Sequence, residues 1–153
     1  WQGNESTYKK FLSLYKKATS QEEKLRFLAA MCNFQQKNLL LKTLEFTLGP
    51  DVRSQNIQMP IMRIAGNIHG KDFLWKWLKK NWKKIVKKAG IGNPLLNRVV
   101  ASIGQVIDAK QEKEVRQFFK ANPLRGTEMT LEQTMERVRV SSKFLNSIKK
   151  EFY

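Results

Sequence analysis

The sequence contains little of what disulfide bonding and metal binding require. Of its 153 residues, one is cysteine (Cys32) and one is histidine (His69). A single cysteine excludes an internal disulfide and favours a reducing, cytoplasmic setting. Because a zinc site needs three or four ligands, we expect no metal or cofactor in this chain. We interpret Cys32, on an apolar helix face, as a small core residue and His69, beside a glycine, as an exposed loop residue.

Catalytic motifs are also absent. There is no phosphate-binding loop, no dinucleotide-binding glycine pattern and no G-x-S-x-G nucleophile turn. The acids of the pairs Glu22/Glu23 and Glu112/Glu114 lie one and two residues apart on predicted helices, so neither pair shares a helix face. We therefore expect this chain alone to catalyse nothing.

Acidic residues and long apolar runs are scarce. Lys and Arg number 29 against 13 Asp and Glu, and the net charge of +16 predicts attraction to polyanions, acidic membranes or acidic peptides. No apolar run approaches the roughly 20 residues that a membrane span requires. The 41% hydrophobic content is nevertheless sufficient for a folded core. Because the chain starts at Trp1 rather than Met, we expect it to be part of a longer protein.

What the sequence does contain is apolar residues at helical spacing almost throughout. Asn4 is placed to cap the first helix, and Ser20 with Glu23 forms a capping box before the second. Gly49-Pro50 is expected to end the third helix, with the glycine at the position after the cap.

Later helices carry similar signals. Asn56 is predicted to cap the fourth helix, which places Pro60 in its first turn, where the missing donor costs less. Asn93 followed by Pro94 predicts the start of the sixth helix, and Asp108 is predicted to cap the seventh.

Eight helices and no credible strand pair predict an all-α fold. Taken two at a time, the helices start near residues 5, 36, 70 and 109, intervals typical of helical-pair repeats. We predict a single domain over residues 1–153, an α-solenoid of about four antiparallel helix pairs (HEAT/armadillo-like superhelix) with one concave face.

The fifth helix, over residues 71–90, has two distinct faces. One face is apolar and is predicted to be buried: Leu74, Trp75, Leu78, Trp82, Ile85, Val86 and Ala89. The opposite face is basic and is predicted to be solvated: Lys76, Lys79, Lys80, Lys83 and Lys87. Nucleic-acid binding needs aromatics among the cations, and only Trp77 lies off the apolar face, so it is not favoured. Membrane-surface binding suits the two faces, but seven other helices are available to cover the tryptophans.

Four stretches carry a family resemblance through their order and spacing. They are DVRSQN (51–56), FLWKWLKKNWKKI (73–85), LLNRVVASIGQVIDAKQEKEVRQFFKANP (95–123) and LEQTMERVRVSSKFL (131–145). Together they resemble the C-terminal helical domain of gluzincin-type (M1 family) zinc aminopeptidases, which include puromycin-sensitive, endoplasmic-reticulum and archaeal tricorn-interacting enzymes. The departures are Phe144, where relatives usually carry Trp, and the many lysines of the fifth helix.

The resemblance implies that this chain is the distal part of a multi-domain hydrolase. In that family the zinc motif H-E-x-x-H and the G-A-M-E-N motif lie in an earlier domain, and neither occurs here. The helical domain of the family forms a bowl over the active site and limits or positions peptide substrates. The implied partners are therefore the other domains of the polypeptide and peptides, with zinc held in the parent enzyme.

Two arginines are the candidate peptide-contacting residues. Arg53 lies in the predicted loop before the fourth helix and Arg98 near the start of the sixth, and either guanidinium suits a carboxylate. We predict that Arg98 faces the bowl; ordinary structural roles as a hydrogen-bond donor or ion-pair partner are the alternatives for both. A stand-alone basic α-solenoid that binds proteins or polyanions remains the alternative function, followed by a membrane-surface protein.

Overall fold

The chain is described here from a computed structural model, which covers the backbone of residues 3–152 and the side chains of residues 3–148. This part of the chain forms eight α-helices, two short 3₁₀ turns and no strand. The helices are α1 (Glu5–Lys17), α2 (Gln21–Met31), α3 (Lys37–Leu48), α4 (Gln58–Gly66), α5 (Lys71–Ala89), α6 (Leu95–Ile103), α7 (Glu112–Ala121) and α8 (Glu128–Phe152). The 3₁₀ turns are Ser54–Asn56, before α4, and Ala109–Gln111, before α7.

The helices pack as a stack in chain order. The main contacts join neighbours such as α1 with α2, α3 with α4 and α5 with α6, or helices two apart such as α4 with α6 and α6 with α8. Contacts that stay local along the chain are typical of solenoid folds. The predicted all-α, solenoid-like class is confirmed.

Several predicted helix starts are present with their hydrogen bonds. The Asn4 side chain accepts from the backbone N–H of Thr7 at 3.0 Å, and Ser20 Oγ accepts from the N–H of Glu23 at 3.1 Å. These bonds satisfy amides that the first helical turn leaves without a partner. In the described part of the chain the Glu23 side chain returns no bond to the Ser20 N–H, so Ser20 is a simple cap and the predicted capping box is only half formed. Asp108 forms a reciprocal capping box, although it caps the 3₁₀ turn that leads into α7 rather than α7 itself.

The predicted start of α4 is wrong in detail. Asn56 does not cap the helix: it ends the 3₁₀ turn, and its side chain donates to Gln21 Oε1 at 3.5 Å. The helix follows Ile57 without a side-chain cap because the 3₁₀ turn already brings the backbone into helical geometry. Pro60 lies in the first turn, as predicted, and is buried. Gly49 ends α3, but with an extended backbone (φ −73°, ψ 172°) rather than a left-handed one.

Helix α5 is buried more widely than its sequence pattern predicts. The predicted apolar face is confirmed, with Val86 half-buried and the other six residues buried. Trp77, predicted to lie off this face, is only 7% exposed, and Phe73, one turn earlier, is 5% exposed. Helices α3, α4 and α6 and the 3₁₀ turn at residues 54–56 all contact α5, so its buried surface extends beyond one stripe.

The connection from α4 to α5 depends on a glycine. A Cβ on Gly70 would lie 2.1 Å from the carbonyl oxygen of Ile64 and 2.9 Å from its Cγ2. No side chain fits there, because the nearest atom belongs to the backbone and cannot rotate away. Gly70 therefore fixes how closely α5 follows α4.

Candidate functional site

The two candidate arginines lie on separate elements. Arg53 precedes the 3₁₀ turn before α4, and Arg98 lies on α6 between buried Leu96 and Val99. Both side chains are exposed, and within the described part of the chain neither guanidinium has an acidic partner within 4 Å or a bond to the other. Each is therefore available for two-point binding of a carboxylate. Whether Arg98 faces a bowl stays a prediction.

The loop that carries Arg53 is attached to two helices. Tyr15 on α1 donates its hydroxyl to the backbone oxygen of Asp51 at 3.0 Å, and Lys88 on α5 donates to the backbone oxygen of Gly49. Burial raises the pKa of Tyr15; Asp51 acts in the same direction and Arg53 opposes it. Burial lowers the pKa of Lys88, which the Asp51 carboxylate opposes. These contacts hold the Arg53 loop between α1 and α5.

A charged network occupies the outer face of α7 and reaches α8. Arg116 binds Glu132 through both of its terminal nitrogens, at 2.5 and 2.9 Å, and Glu112 through Nε at 2.8 Å. The bonds to Glu132 and then Glu112 raise the pKa of Arg116, and the same bond to Arg116 lowers the pKa of Glu132. Arg139 lies 3.4 Å from Glu112. Because Arg116 is already saturated by carboxylates, this face is a helix-to-helix brace rather than an anion site.

Aromatic side chains of α7 pack against those of α5. The ring of Trp82 lies 5.2 Å from Phe119 and 5.9 Å from Phe118, and Trp75 lies 5.3 Å from Phe118, all edge to face. Pairs in this geometry stabilise by about 0.5–1.5 kcal/mol beyond area burial. They set the spacing between α5 and the turn that follows α7.

A groove opens beside this aromatic cluster, between the end of α5 and the segment after α7. We call it the α5–α7 groove. Its volume is about 340 Å³. It is lined by Trp82, Lys83, Val86, Lys87, Ile91, Asn122, Pro123 and Leu124. The sequence did not predict this groove, because its two walls lie some thirty residues apart in the chain. The one local signal was Ile91, an isoleucine between two glycines.

The chain is similar to known proteins over most of its length. The family model described as ERAP1-like C-terminal domain matches residues 1–140. The chain belongs to the ERAP1-like C-terminal domain family. It is 33% identical to aminopeptidase M1-C of Oryza sativa subsp. japonica over 97% of its own length. It is 27% identical to the alanine/arginine aminopeptidase of Saccharomyces cerevisiae over 94%, and 27% identical to aminopeptidase M1 of Arabidopsis thaliana over 97%.

The ERAP1-like domain is a small part of these relatives. It spans 17% of the length of each of the three and corresponds to their C-terminal part. The resemblance to M1 aminopeptidases seen in the sequence is thereby confirmed.

The described side chains of this ERAP1-like domain do not form a zinc site. Within residues 3–148, no three His, Cys, Asp or Glu side chains converge in a metal-binding arrangement. His69 is exposed, as predicted. Cys32 is fully buried, as predicted; its thiol donates to the backbone oxygen of Leu28 at 3.2 Å, and burial raises its pKa to about 12. None of the described helices has the length and apolar character needed to traverse a bilayer.

Proposed function

We propose that this ERAP1-like domain is a non-catalytic part of a zinc aminopeptidase and that it confines and positions peptide substrates. The observation that carries the proposal is the family match over residues 1–140, with relatives that are named aminopeptidases. Zinc and the hydrolytic residues belong, in this proposal, to another domain of the same polypeptide. We also propose that the helices form a regular HEAT-like arrangement of antiparallel pairs and that all 153 residues form one domain. We further propose that the protein is cytoplasmic.

The helix stack supports this role physically. A stack of helix pairs curves and presents one extended concave surface, on which a peptide can lie. Exposed cations attract the C-terminal carboxylate of a peptide, an attraction that salt screens beyond about 8–10 Å. Arg98 is exposed and unpaired within the described part of the chain, so binding a carboxylate does not require it to give up an internal partner. We propose it as the peptide-contacting residue, with Arg53 as the second candidate.

The test is Arg98→Ala in the full-length enzyme. We expect KM for peptides to rise at least tenfold, because a hydrogen bond to a charged group contributes about 1.5–3 kcal/mol. Small aminoacyl reporter substrates have no distant carboxylate, so their KM should stay unchanged. Arg98→Lys keeps the charge but loses two-point binding and should recover only part of the affinity.

The control is Arg137→Ala, which removes another exposed arginine, on α8, and should leave both substrates unaffected. Arg53→Ala is measured in parallel. If Arg98→Ala reduces peptide and reporter turnover equally, Arg98 does not bind the far end of the peptide.

A second candidate function is a stand-alone basic solenoid that binds proteins or polyanions. The observation in its favour is the lysine face of α5, of which Lys76, Lys80, Lys83 and Lys87 are exposed, whereas Lys79 is half-buried and paired with Glu114. Finding H-E-x-x-H upstream in the parent gene would decide for the aminopeptidase.

A further inference from the structure

The floor of the α5–α7 groove is apolar and partly open to solvent. Ile91 is 87% exposed, at a turn whose flanking residues Gly90 and Gly92 have positive φ values of 91° and 77°. Leu124 and Val86 are half-buried in the same groove. A volume of about 340 Å³ lies at the lower end of the range for ligand pockets, about 300–1,000 Å³. The groove therefore offers room for one or two apolar side chains.

The rim of the groove is basic. Lys83 and Lys87 are one helical turn apart on α5, both exposed, and no acid lines the groove. The basic row continues along α5 through Lys76, Lys80 and Lys84 over about 16 Å. Within residues 3–148, none of these five ammonium groups has an acidic partner. Their positive potential is therefore not neutralised by the domain itself.

Two helices end at this groove, and their terminal carbonyl groups have donors. Asn93 Nδ2 donates to the oxygen of Ala89 at 2.7 Å, and Asn122 Nδ2 donates to the oxygen of Phe118 at 2.9 Å. These bonds offset part of the negative charge at a helix C-terminus that would otherwise oppose an anion. The lysines thus dominate the electrostatics of the groove.

We propose that the α5–α7 groove binds an acidic, amphipathic peptide segment, whose apolar side chains fill the groove and whose carboxylates meet Lys83 and Lys87. A peptide fits better than a nucleic acid, because Trp75, Trp77 and Trp82 are at most 7% exposed and offer no stacking surface. It also fits better than a membrane, because Ile91 is the one strongly exposed large apolar residue of the groove. The inference does not depend on the activity of a parent enzyme.

Binding is measured by fluorescence anisotropy with the 153-residue chain and a labelled peptide of about 12 alternating leucine and glutamate residues. Two comparison peptides replace glutamate by lysine or leucine by serine. We expect saturable binding of the leucine–glutamate peptide, at least tenfold weaker binding of the serine–glutamate peptide and none of the leucine–lysine peptide. Affinity should fall as salt rises from about 50 to 300 mM, because the contacts are partly exposed.

Matched variants locate the site. Lys83→Glu with Lys87→Glu should weaken binding of the leucine–glutamate peptide at least tenfold, and Ile91→Ser about fivefold. Lys9→Glu with Lys10→Glu changes the net charge equally, at exposed positions on α1, and should change affinity less than threefold. Circular dichroism verifies that all variants remain folded.

Three outcomes overturn the proposal: absence of peptide binding, equal weakening by the two double variants, or a contribution from Ile91 that is too small to measure. A single-stranded oligonucleotide or phosphatidylserine vesicles that bind more tightly through Lys83 and Lys87 would also overturn it, because the groove would then be a general polyanion site.

Discussion

Replacing Gly70 by alanine tests whether the close contact of α4 with α5 governs the stability of the stack. The added Cβ would lie 2.1 Å from the Ile64 carbonyl oxygen, 2.9 Å from its Cγ2 and 3.0 Å from its carbonyl carbon. The backbone of Gly70 is in an ordinary helical region (φ −86°, ψ −24°), so conformational preference does not oppose alanine. The cost is therefore steric, and α5 must move away from α4.

We expect Gly70→Ala to lower the free energy of unfolding by about 3 kcal/mol, the upper part of the range for overpacking. For a chain of this size, that corresponds to a fall of about 6–12 °C in the midpoint of thermal unfolding. The assay is thermal unfolding of the 153-residue chain followed by far-ultraviolet circular dichroism, which reports the loss of helix.

Gly66→Ala is the matched control. Gly66 is the last residue of α4, and the nearest atom to its added Cβ is Gln105 Oε1, at an ordinary 3.5 Å. Alanine restricts the unfolded chain, so this variant should be about 0.5 kcal/mol more stable than the parent. If both variants unfold at the same temperature, the α4–α5 contact is not the steric constraint described here.

Two further predictions concern titrating groups. Because the Cys32 pKa is raised to about 12, its thiol should resist alkylation near pH 8 in the folded chain and react after denaturation. The contribution of the buried thiol to stability is present below pH 9.0, its ordinary pKa, and is lost as the pH rises towards 12. Rapid alkylation of the folded chain would contradict its burial. Arg116→Ala should cost about 1 kcal/mol by removing the bond of α7 to Glu132 on α8 and the bond to Glu112 within α7, measured by urea unfolding at neutral pH. Because the pKa of Glu132 lies below its ordinary 4.5, the contribution of Glu132 to stability is present above pH 4.5 and is lost as the pH falls below it. The free energy of unfolding should therefore depend less on pH in Arg116→Ala than in the parent. Unchanged acid sensitivity would contradict the Arg116–Glu132 bridge.

Features that depend on local chemistry were predictable from the sequence. The caps at Asn4 and Ser20 involve residues three positions apart, and the apolar face of α5 follows directly from helical spacing. Trp77 shows the limit of this reasoning. Its burial arises because several elements surround α5, and a single periodic pattern does not encode how many neighbours a helix has.

Features that depend on distant segments were not predictable. The 3₁₀ turn that displaces Asn56 from its capping role belongs to a loop attached to α1 and α5. The α5–α7 groove is lined by both Ile91 and Leu124, whose segments lie near each other because Trp82 packs on Phe119. The exposure of Arg53 and Arg98 was expected from their positions in a loop and on a helix surface, and their contact with a peptide stays a prediction.

The short range of the helix contacts has a mechanical consequence. α6 contacts α4, α5 and α8, whereas α1 contacts mainly α2, and Val140, Phe144 and Leu145 leave part of α8 uncovered. We expect such a stack to open from its ends, so that the middle opens last. A ligand held between α5 and α7 would slow amide hydrogen exchange in the middle of the stack and leave α1 exchanging at its own rate.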